Sequence, residues 1–567
     1  MGIVIMTRRG ALSVSLTRGV LGAALCLLGL PANARSPAAG KIKHVIIIMQ
    51  ENRSFDSYFG TFPGADGIPS GVCMPIDPSN PQNGCIQPYH NGLDANAGGP
   101  HSNLAAQLDL DDGITHAKLD GFVAQQIEGA AHGAHPYQFI LQGVQLHDVM
   151  GYHTAEEIPN YWAYAKNFVL QDHMFAGVRS SSFPIHVDMT SEWVAKCADQ
   201  TDVSTCYTFP YLLHNRETRF PWANFFQLLD THNVSWKYYL GEGTEPDCES
   251  GEMTCEPVIQ NPETPSGWNP AKFYSYVREQ PYGYRMKHIH VTNHFLVDIK
   301  LHKLPQVVWL IPSDVYSEHP PHSITAGMMY VTALVNAVMN SSYWNDTAIF
   351  ISWDDWGGFY DHVVPPNVDT NNTPTPIQGY GQRVPGLLVS AYARHGYIDH
   401  GVLSFDSYPR FIEDVFMDGA RLVPAELGLP DKRPTIRDAL RQVRYFDGTT
   451  APIVDLADEF DFTATPQPPL VLTTLIPSDI TASCNQGSGV ACTVPQVTVS
   501  WNAVPAPNPS GVTYRLFRDG QLVETCDSKA TSCVDTPGSG DHLYRVLSID
   551  GGWNMSPLSP AALATVP

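Results

Sequence analysis

The sequence is short of positive charge. Its 33 Lys and Arg face 56 Asp and Glu, for a formal net charge of −23. A chain this acidic offers no basic footprint for nucleic acid or for an anionic membrane surface. It also lacks a run long enough to span a bilayer. The most apolar stretch, residues 19–30, has twelve residues where about 20 are needed. No Cys-x-x-Cys occurs among its 11 cysteines, which removes the commonest spacing of a structural zinc site.

What is present at the start reads as an export signal. Arg8 and Arg9 precede the apolar stretch, and Ala32-Asn-Ala34 offers a small-residue cleavage site, so residues 1–34 are expected to be removed. Thr7-Arg-Arg-Gly-Ala-Leu12 also looks like a twin-arginine signal. The signal contains Arg8, Arg9 and Arg18 and no acid, so its loss takes the charge from −23 to −26. The remaining 533 residues (567 minus 34) suffice for a large core and more than one domain. Ten cysteines then remain in five neighbouring sets: Cys73 and Cys85, Cys197 and Cys206, Cys248 and Cys255, Cys484 and Cys492, Cys526 and Cys533. Five local disulfides and a secreted or periplasmic location are expected. Twin-arginine export carries folded proteins out of a reducing cytosol. The bridges therefore close after export, or the route is the general secretory one.

The chain is organised around its first buried strand. Residues 45–49 are a short β-branched apolar run, suited to a strand covered on both faces of a parallel sheet. Glu51-Asn-Arg-Ser-Phe-Asp56 follows at once, where open α/β sheets bind ligands. Glu51 and Asn52 offer a carboxylate and an amide oxygen to a cation, while Ser54 or Asp56 offers an ordinary helix cap. Two more strands, 307–311 and 347–353, are followed by Ser317-Glu-His-Pro-Pro-His322 and by Asp354-Asp-Trp-Gly-Gly-Phe-Tyr-Asp-His-Val-Val-Pro-Pro366. A helix is expected over 324–339. A fourth apolar run, 384–391, is expected to complete the edge of the sheet.

These segments together resemble the phosphoesterase family of bacterial phospholipases C, plant non-specific phospholipases C and related acid phosphatases, within the alkaline phosphatase superfamily. The resemblance runs, with gaps, from about residue 41 to 448, and within it residues 150–168 are similar to a family helix that enters a strand over 169–175. It implies a three-layer α/β/α sandwich with a mainly parallel, alkaline phosphatase-like sheet over residues 35–462. It also implies that Glu51, Asn52, Asp354 and Asp355 hold one divalent metal ion together with the nucleophile. All-oxygen ligands favour Ca²⁺, Mg²⁺ or Mn²⁺, with Zn²⁺ possible.

In Ala176-Gly-Val-Arg-Ser-Ser-Ser-Phe-Pro-Ile-His186 the position matching the family nucleophile is Ser182, although Ser180 and Ser181 stand beside it. The family commonly has Asn-Arg after the proline, where this chain has Ile185-His186. The family's second motif is similar to residues 109–123 and places a catalytic histidine at His116. By itself a loop histidine reads as solvated surface. His319 matches a histidine of the Glu-His-Pro-x-His segment. His290 matches one upstream of Leu-Pro, although His288, His290 and the nearby His294 also read as a metal-ligand cluster.

The chemistry implied is attack by an activated Ser182 oxygen on phosphorus, with His116 and His319 bonding the phosphoryl oxygens or protonating the leaving alcohol. A phosphoserine-type intermediate would then yield to water. The substrate expected is a phospholipid head group ester, as in phospholipase C. An acid phosphatase acting on phosphomonoesters is the alternative, and a non-catalytic secreted adhesion or binding protein the second. No Cys-x-Pro-x-Arg exists to make the formylglycine of a sulfatase.

After residue 462 the composition changes. A proline-rich linker, 463–479, precedes short alternating strands at 497–501, 514–520 and 542–547. These resemble strands of a fibronectin type III sandwich, giving a small all-β module over 480–567. Contact with a surface polymer and plain domain spacing are both open roles for it.

Overall fold

The fold is that of a computed structural model, which describes residues 35–110, 118–131, 147–197, 206–208, 220–245, 258–263, 265–367, 379–429, 433, 436–472 and most of 476–566. Eight strands form the central sheet. In chain order they are β1 (His44–Gln50), β2 (Val169–Gln171), β3 (Trp236–Leu240), β4 (Ile289–Val291), β5 (Val307–Ile311), β6 (Thr347–Trp353), β7 (Gly386–Ser390) and β8 (Tyr397–Asp399). Their spatial order is β4-β3-β5-β1-β6-β7-β2-β8. The first strand lies inside, parallel to β5 and β6, with Ile47 opposite both Trp309 and Phe350. From Val45 onward every residue of β1 is buried, which is why its sequence shows no alternation.

Helices cover both faces. The helices that matter here are α1 (Phe55–Phe59), α2 (Pro159–Asn167), α3 (Ser182–Ser191), α4 (Phe225–Thr231), α5 (Asn293–Lys300), α6 (Ile324–Met339) and α7 (Ser407–Phe416). Tyr238, Trp309, Ile47 and Phe350 form one row across the sheet. Phe226 of α4 packs on Trp309 with ring centroids 5.5 Å apart, and Phe411 of α7 packs on Phe350 at the same separation. Tyr239, one residue along, faces the other side and meets Phe295 of α5 at 5.6 Å. On that side Asn160 of α2 donates to Thr332 Oγ1 of α6 at 3.0 Å. The result is the expected three-layer α/β/α arrangement.

Three expectations need correction. The run at 384–391 is strand β7, but it is not at an edge. It lies between β6 and β2 and is antiparallel to both. No described helix separates β6 from β7, so the chain turns back rather than crossing over. The single strand expected over 169–175 breaks after Gln171, and Met174–Phe175 pairs elsewhere with Leu403–Ser404. The helix expected within 150–168 is only Pro159–Asn167.

Disulfides join Cys73 to Cys85 and Cys526 to Cys533, and Cys484 is disulfide-bonded as well. Cys197 lies opposite Cys206 in the register of a two-stranded ladder. Cys248, Cys255 and Cys492 fall outside the described residues, as do residues 1–34.

The C-terminal region forms two antiparallel sheets. One pairs Thr481–Cys484, Val497–Ser500 and Ser532–Asp535. The other pairs Gln521–Leu522, Val512–Arg518, Gly540–Asp550 and Ala562–Val566. Val497 and Val499 of the first sheet share a core with Tyr514, Leu516, Tyr544 and Val546 of the second, as in a sandwich.

Candidate active site

Three structural elements deliver the site. The chain leaves β1 through Glu51 and Asn52, leaves β6 through Asp354 and Asp355, and starts α3 at Ser182. Glu51 N donates to Ser317 O at 3.0 Å and Asp354 N to Gln50 O at 2.8 Å, so the strand exits are tied together by backbone. Asn52 has φ of 58°, a left-handed conformation that asparagine tolerates better than most residues. Ser54 caps α1 by accepting from Ser57 N at 3.1 Å. The ordinary cap and the acidic cluster are therefore both real, three residues apart.

Ser182 and His186 stand one turn apart on α3 and hold the two oxygens of Glu51. Ser182 Oγ donates to Glu51 Oε2 at 2.9 Å, and His186 Nε2 lies 3.0 Å from Glu51 Oε1. Asn52 N donates to Asp354 Oδ1 at 3.0 Å. Ligand atoms of Glu51, His186 and Asp354 lie within 4.8 Å of one another, and all three residues are buried. Asp355 is outside that group. Its Oδ1 accepts from Gly357 N at 2.7 Å and shapes the turn after β6.

The Asn52 amide reports on what the cluster could hold. It can turn its nitrogen to the acids, 3.3 Å from both Glu51 Oε2 and Asp354 Oδ1. Turned the other way, Nδ2 donates to His101 Nε2 at 3.0 Å and the oxygen faces the two carboxylates. In that second orientation three oxygens converge at the spacing of neighbouring ligands around one cation with metal–oxygen distances of about 2.1–2.5 Å. Asp354 Oδ2, sealed from solvent, has no hydrogen-bond donor. A hard divalent ion fits this donor set.

Two histidines frame the cluster. His319 Nδ1 bonds Pro320 O at 2.7 Å and His101 Nδ1 bonds Gly99 O at 3.0 Å, so in each ring Nδ1 carries a proton, and the other nitrogen of His101 meets Asn52. The two rings lie 5.8 Å apart, and Trp268 lies 6.3 Å from His319 and 6.4 Å from His186. Glu318, beside His319, has no such freedom. It is fully buried and accepts from Tyr58, Tyr161, Trp353 and Gln50, while burial pushes its carboxyl above the usual range.

The structure does not bring His290 to this site. It lies on edge strand β4, three strands and roughly 14 Å from β1, bonded to Lys287 O at 3.1 Å and stacked on His294 at 4.9 Å. His116 lies outside the described residues. Sequence reasoning missed His101 and His186. For His186 the spacing of four from Ser182 was an available signal, since it puts both on one helix face. His101 sits in a glycine-rich loop and had none.

The paired glycines explain how that loop is held. Gly358 has φ of 74°, and a Cβ there would lie 2.4 Å from Gly99 Cα. Gly358→Ala is expected to cost about 1–3 kcal/mol in stability and to lower activity by displacing the loop that carries His101. Gly538→Ala, where a Cβ meets nothing within 4 Å, should change neither. Thermal melts and turnover of the two variants check this, and equal behaviour would refute it.

Comparison with known proteins places these residues in context. The profile of the phosphoesterase family matches residues 42–417. A non-hemolytic phospholipase C of Burkholderia pseudomallei is 29% identical over 432 residues, which are 69% of this chain and 57% of that protein. Phospholipase C A of Mycobacterium tuberculosis is 27% identical over 424 residues, 69% of this chain and 73% of that one. A non-specific phospholipase C1 of Arabidopsis thaliana is 26% identical over 386 residues, 64% and 63% of the two chains. The match to the Burkholderia protein thus spans little more than half of its length.

Proposed function

The chain belongs to the phosphoesterase family, and from that premise we propose that it is an exported phosphoric ester hydrolase of the phospholipase C type with Ser182 as nucleophile. The observation that carries this reading is the hydrogen bond of 2.9 Å from Ser182 Oγ to Glu51, at the first turn of a ten-residue helix. The helix N-terminus directs backbone N–H groups and the positive end of its dipole at an incoming phosphoryl group. Glu51 holds the serine proton away from the phosphorus and leaves the Oγ lone pairs facing it.

Oγ attacks phosphorus as its proton passes to Glu51, the phosphorus–oxygen bond to the leaving alcohol breaks, and the alcohol takes the Nε2 proton of a doubly protonated histidine. His319 is the candidate donor, with Nδ1 fixed on Pro320 O. Water then attacks phosphorus and gives up a proton to the same nitrogen, the bond to Oγ breaks, and Ser182 recovers its proton from Glu51. A divalent cation held by Glu51, Asn52 and Asp354, with His186 at its margin, would supply positive charge against the phosphoryl oxygens and acidify the serine hydroxyl. His116 remains a candidate for the same proton transfer.

The relatives named phospholipase C favour a phosphodiester over a phosphomonoester substrate. Head group release from a phospholipid would then leave a diacylglycerol. No described helix is long and apolar enough to cross a membrane, and residues 1–34 carry the features of an export signal. The test compares p-nitrophenylphosphorylcholine with p-nitrophenyl phosphate. The diester should be preferred by about tenfold or more in kcat/KM. The reverse preference would make the protein an acid phosphatase, and turnover of neither would leave a binding protein.

A further inference from the structure

The helix that begins at Ser182 has a second charged end. At its carboxyl terminus Glu192 turns the chain in the left-handed conformation, with φ of 54°. Its side chain meets Glu413 of α7 and Asp438, with a ligand atom of each within 4.8 Å of the others. Their relative exposures are 2%, 0% and 1%. Hydrogen bonds account for one oxygen of each. Glu192 Oε2 accepts from Asp438 N at 3.4 Å, Glu413 Oε2 from Arg421 Nη1 at 3.1 Å, and Asp438 Oδ2 from Leu422 N at 3.1 Å. The other oxygens, Glu192 Oε1, Glu413 Oε1 and Asp438 Oδ1, are sealed from solvent with no donor.

The described residues around them do not balance their charge. Asp188 and Asp406 are buried alongside and share Arg437, with Nη1 2.9 Å from Asp188 Oδ1 and Nε 3.3 Å from Asp406 Oδ2. Arg421 serves Glu413. Arg433 donates to two carbonyls, Ser191 O at 2.5 Å and Ala223 O at 3.1 Å. Among the described residues, five buried carboxylates (Asp188, Glu192, Asp406, Glu413, Asp438) face three guanidiniums (Arg421, Arg433, Arg437), which leaves two negative charges. Asp414, 2.6 Å from the far end of Arg421, adds to the excess.

We propose that Glu192, Glu413 and Asp438 form a second divalent-cation site, separate from the one at Glu51, for a hard oxygen-seeking ion of the Ca²⁺ class. One such ion cancels the two excess charges of the five buried acids and gives each stranded oxygen a partner. Carboxylate-only ligands select Ca²⁺ over softer metals. The negative end of the α3 dipole also favours a cation there. Burial, then repulsion from the neighbouring acids, pushes the carboxyls of Glu192 and Glu413 well above their usual range when nothing positive lies between them. The ion would pin the far end of the nucleophile helix to α7. Two shared protons are the competing way to balance the charge, and they predict the opposite outcome.

The test is elemental analysis of the purified full-length protein, with thermal melts in Ca²⁺ and in chelator. Wild type should hold two divalent ions per chain. Glu413→Gln should hold one and lose most of the Ca²⁺-dependent rise in melting temperature. Glu51→Gln, which empties the other site, should keep most of that rise. A Glu413→Gln protein that retains both ions and melts at the same or a higher temperature would overturn the proposal, because glutamine imitates a protonated acid. If Glu413→Gln does not fold, Glu51→Gln decides alone, and a melting temperature indifferent to Ca²⁺ overturns it. Should Glu51→Gln lose no ion while Glu413→Gln loses one, the catalytic-site cation fails and this site stands.

Discussion

Ser182→Ala is expected to abolish turnover, by about 10³-fold or more in kcat, while the protein folds and keeps its metal. The size follows from removing the attacking atom itself. Binding and charge stabilisation survive such a loss, but no covalent intermediate can form. The structural cost is small. Ser182 makes one side-chain hydrogen bond, to Glu51 Oε2, and losing it costs about 1 kcal/mol. The neighbouring serines supply the control. Ser181 is the helix N-cap but makes no side-chain cap bond, so Ser181→Ala should retain most activity. Mass spectrometry of protein quenched during turnover of p-nitrophenylphosphorylcholine should find phosphorylcholine on the peptide containing Ser182 and none in the variant. A dead Ser181→Ala beside an active Ser182→Ala would shift the nucleophile by one residue.

Much of this arrangement was legible in the sequence, for a physical reason. Strands covered on both faces stay mostly apolar until they leave the sheet, so Val307–Ile311 and Thr347–Trp353 announce both of their ends. The acids that follow β1 and β6 stand where a parallel sheet must open to solvent or ligand. Periodicity does not report a strand's neighbours, and so Gly386–Ser390 was misplaced at an edge although its apolar run was plain. The supporting histidines were harder. His186 is buried inside a helix and His101 sits in a loop. Each meets the site through residues distant in sequence, His186 bonding Glu51 135 positions away and His101 bonding Asn52 49 positions away. His290 had a motif match in its favour, but its strand lies at the far edge of the sheet.

Asp354→Asn is expected to remove the catalytic-site cation and, with it, about 10²-fold or more in activity. Asp354 Oδ1 already accepts from Asn52 N, and an amide oxygen can keep that bond. The other oxygen has no donor in a buried site, so it is the atom whose charge only a cation can repay. Replacing it with an amide nitrogen removes an anionic ligand and relieves repulsion from Glu51. The two states of the protein should therefore respond in opposite directions. With metal present, wild type should melt higher than Asp354→Asn. In chelator, the variant should melt at the same temperature as wild type or above it, because it no longer buries an uncompensated charge. Acid should mimic chelation, since carboxylate and imidazole ligands bind a cation only when deprotonated, and metal affinity should weaken steadily as pH falls. Titration of the chelated protein with Ca²⁺, Mg²⁺, Mn²⁺ and Zn²⁺ should restore wild-type activity and leave Asp354→Asn inactive. Wild-type protein that stays fully active after chelation has removed every divalent ion would sink the mechanism, leaving Asp354 only a backbone partner of Asn52.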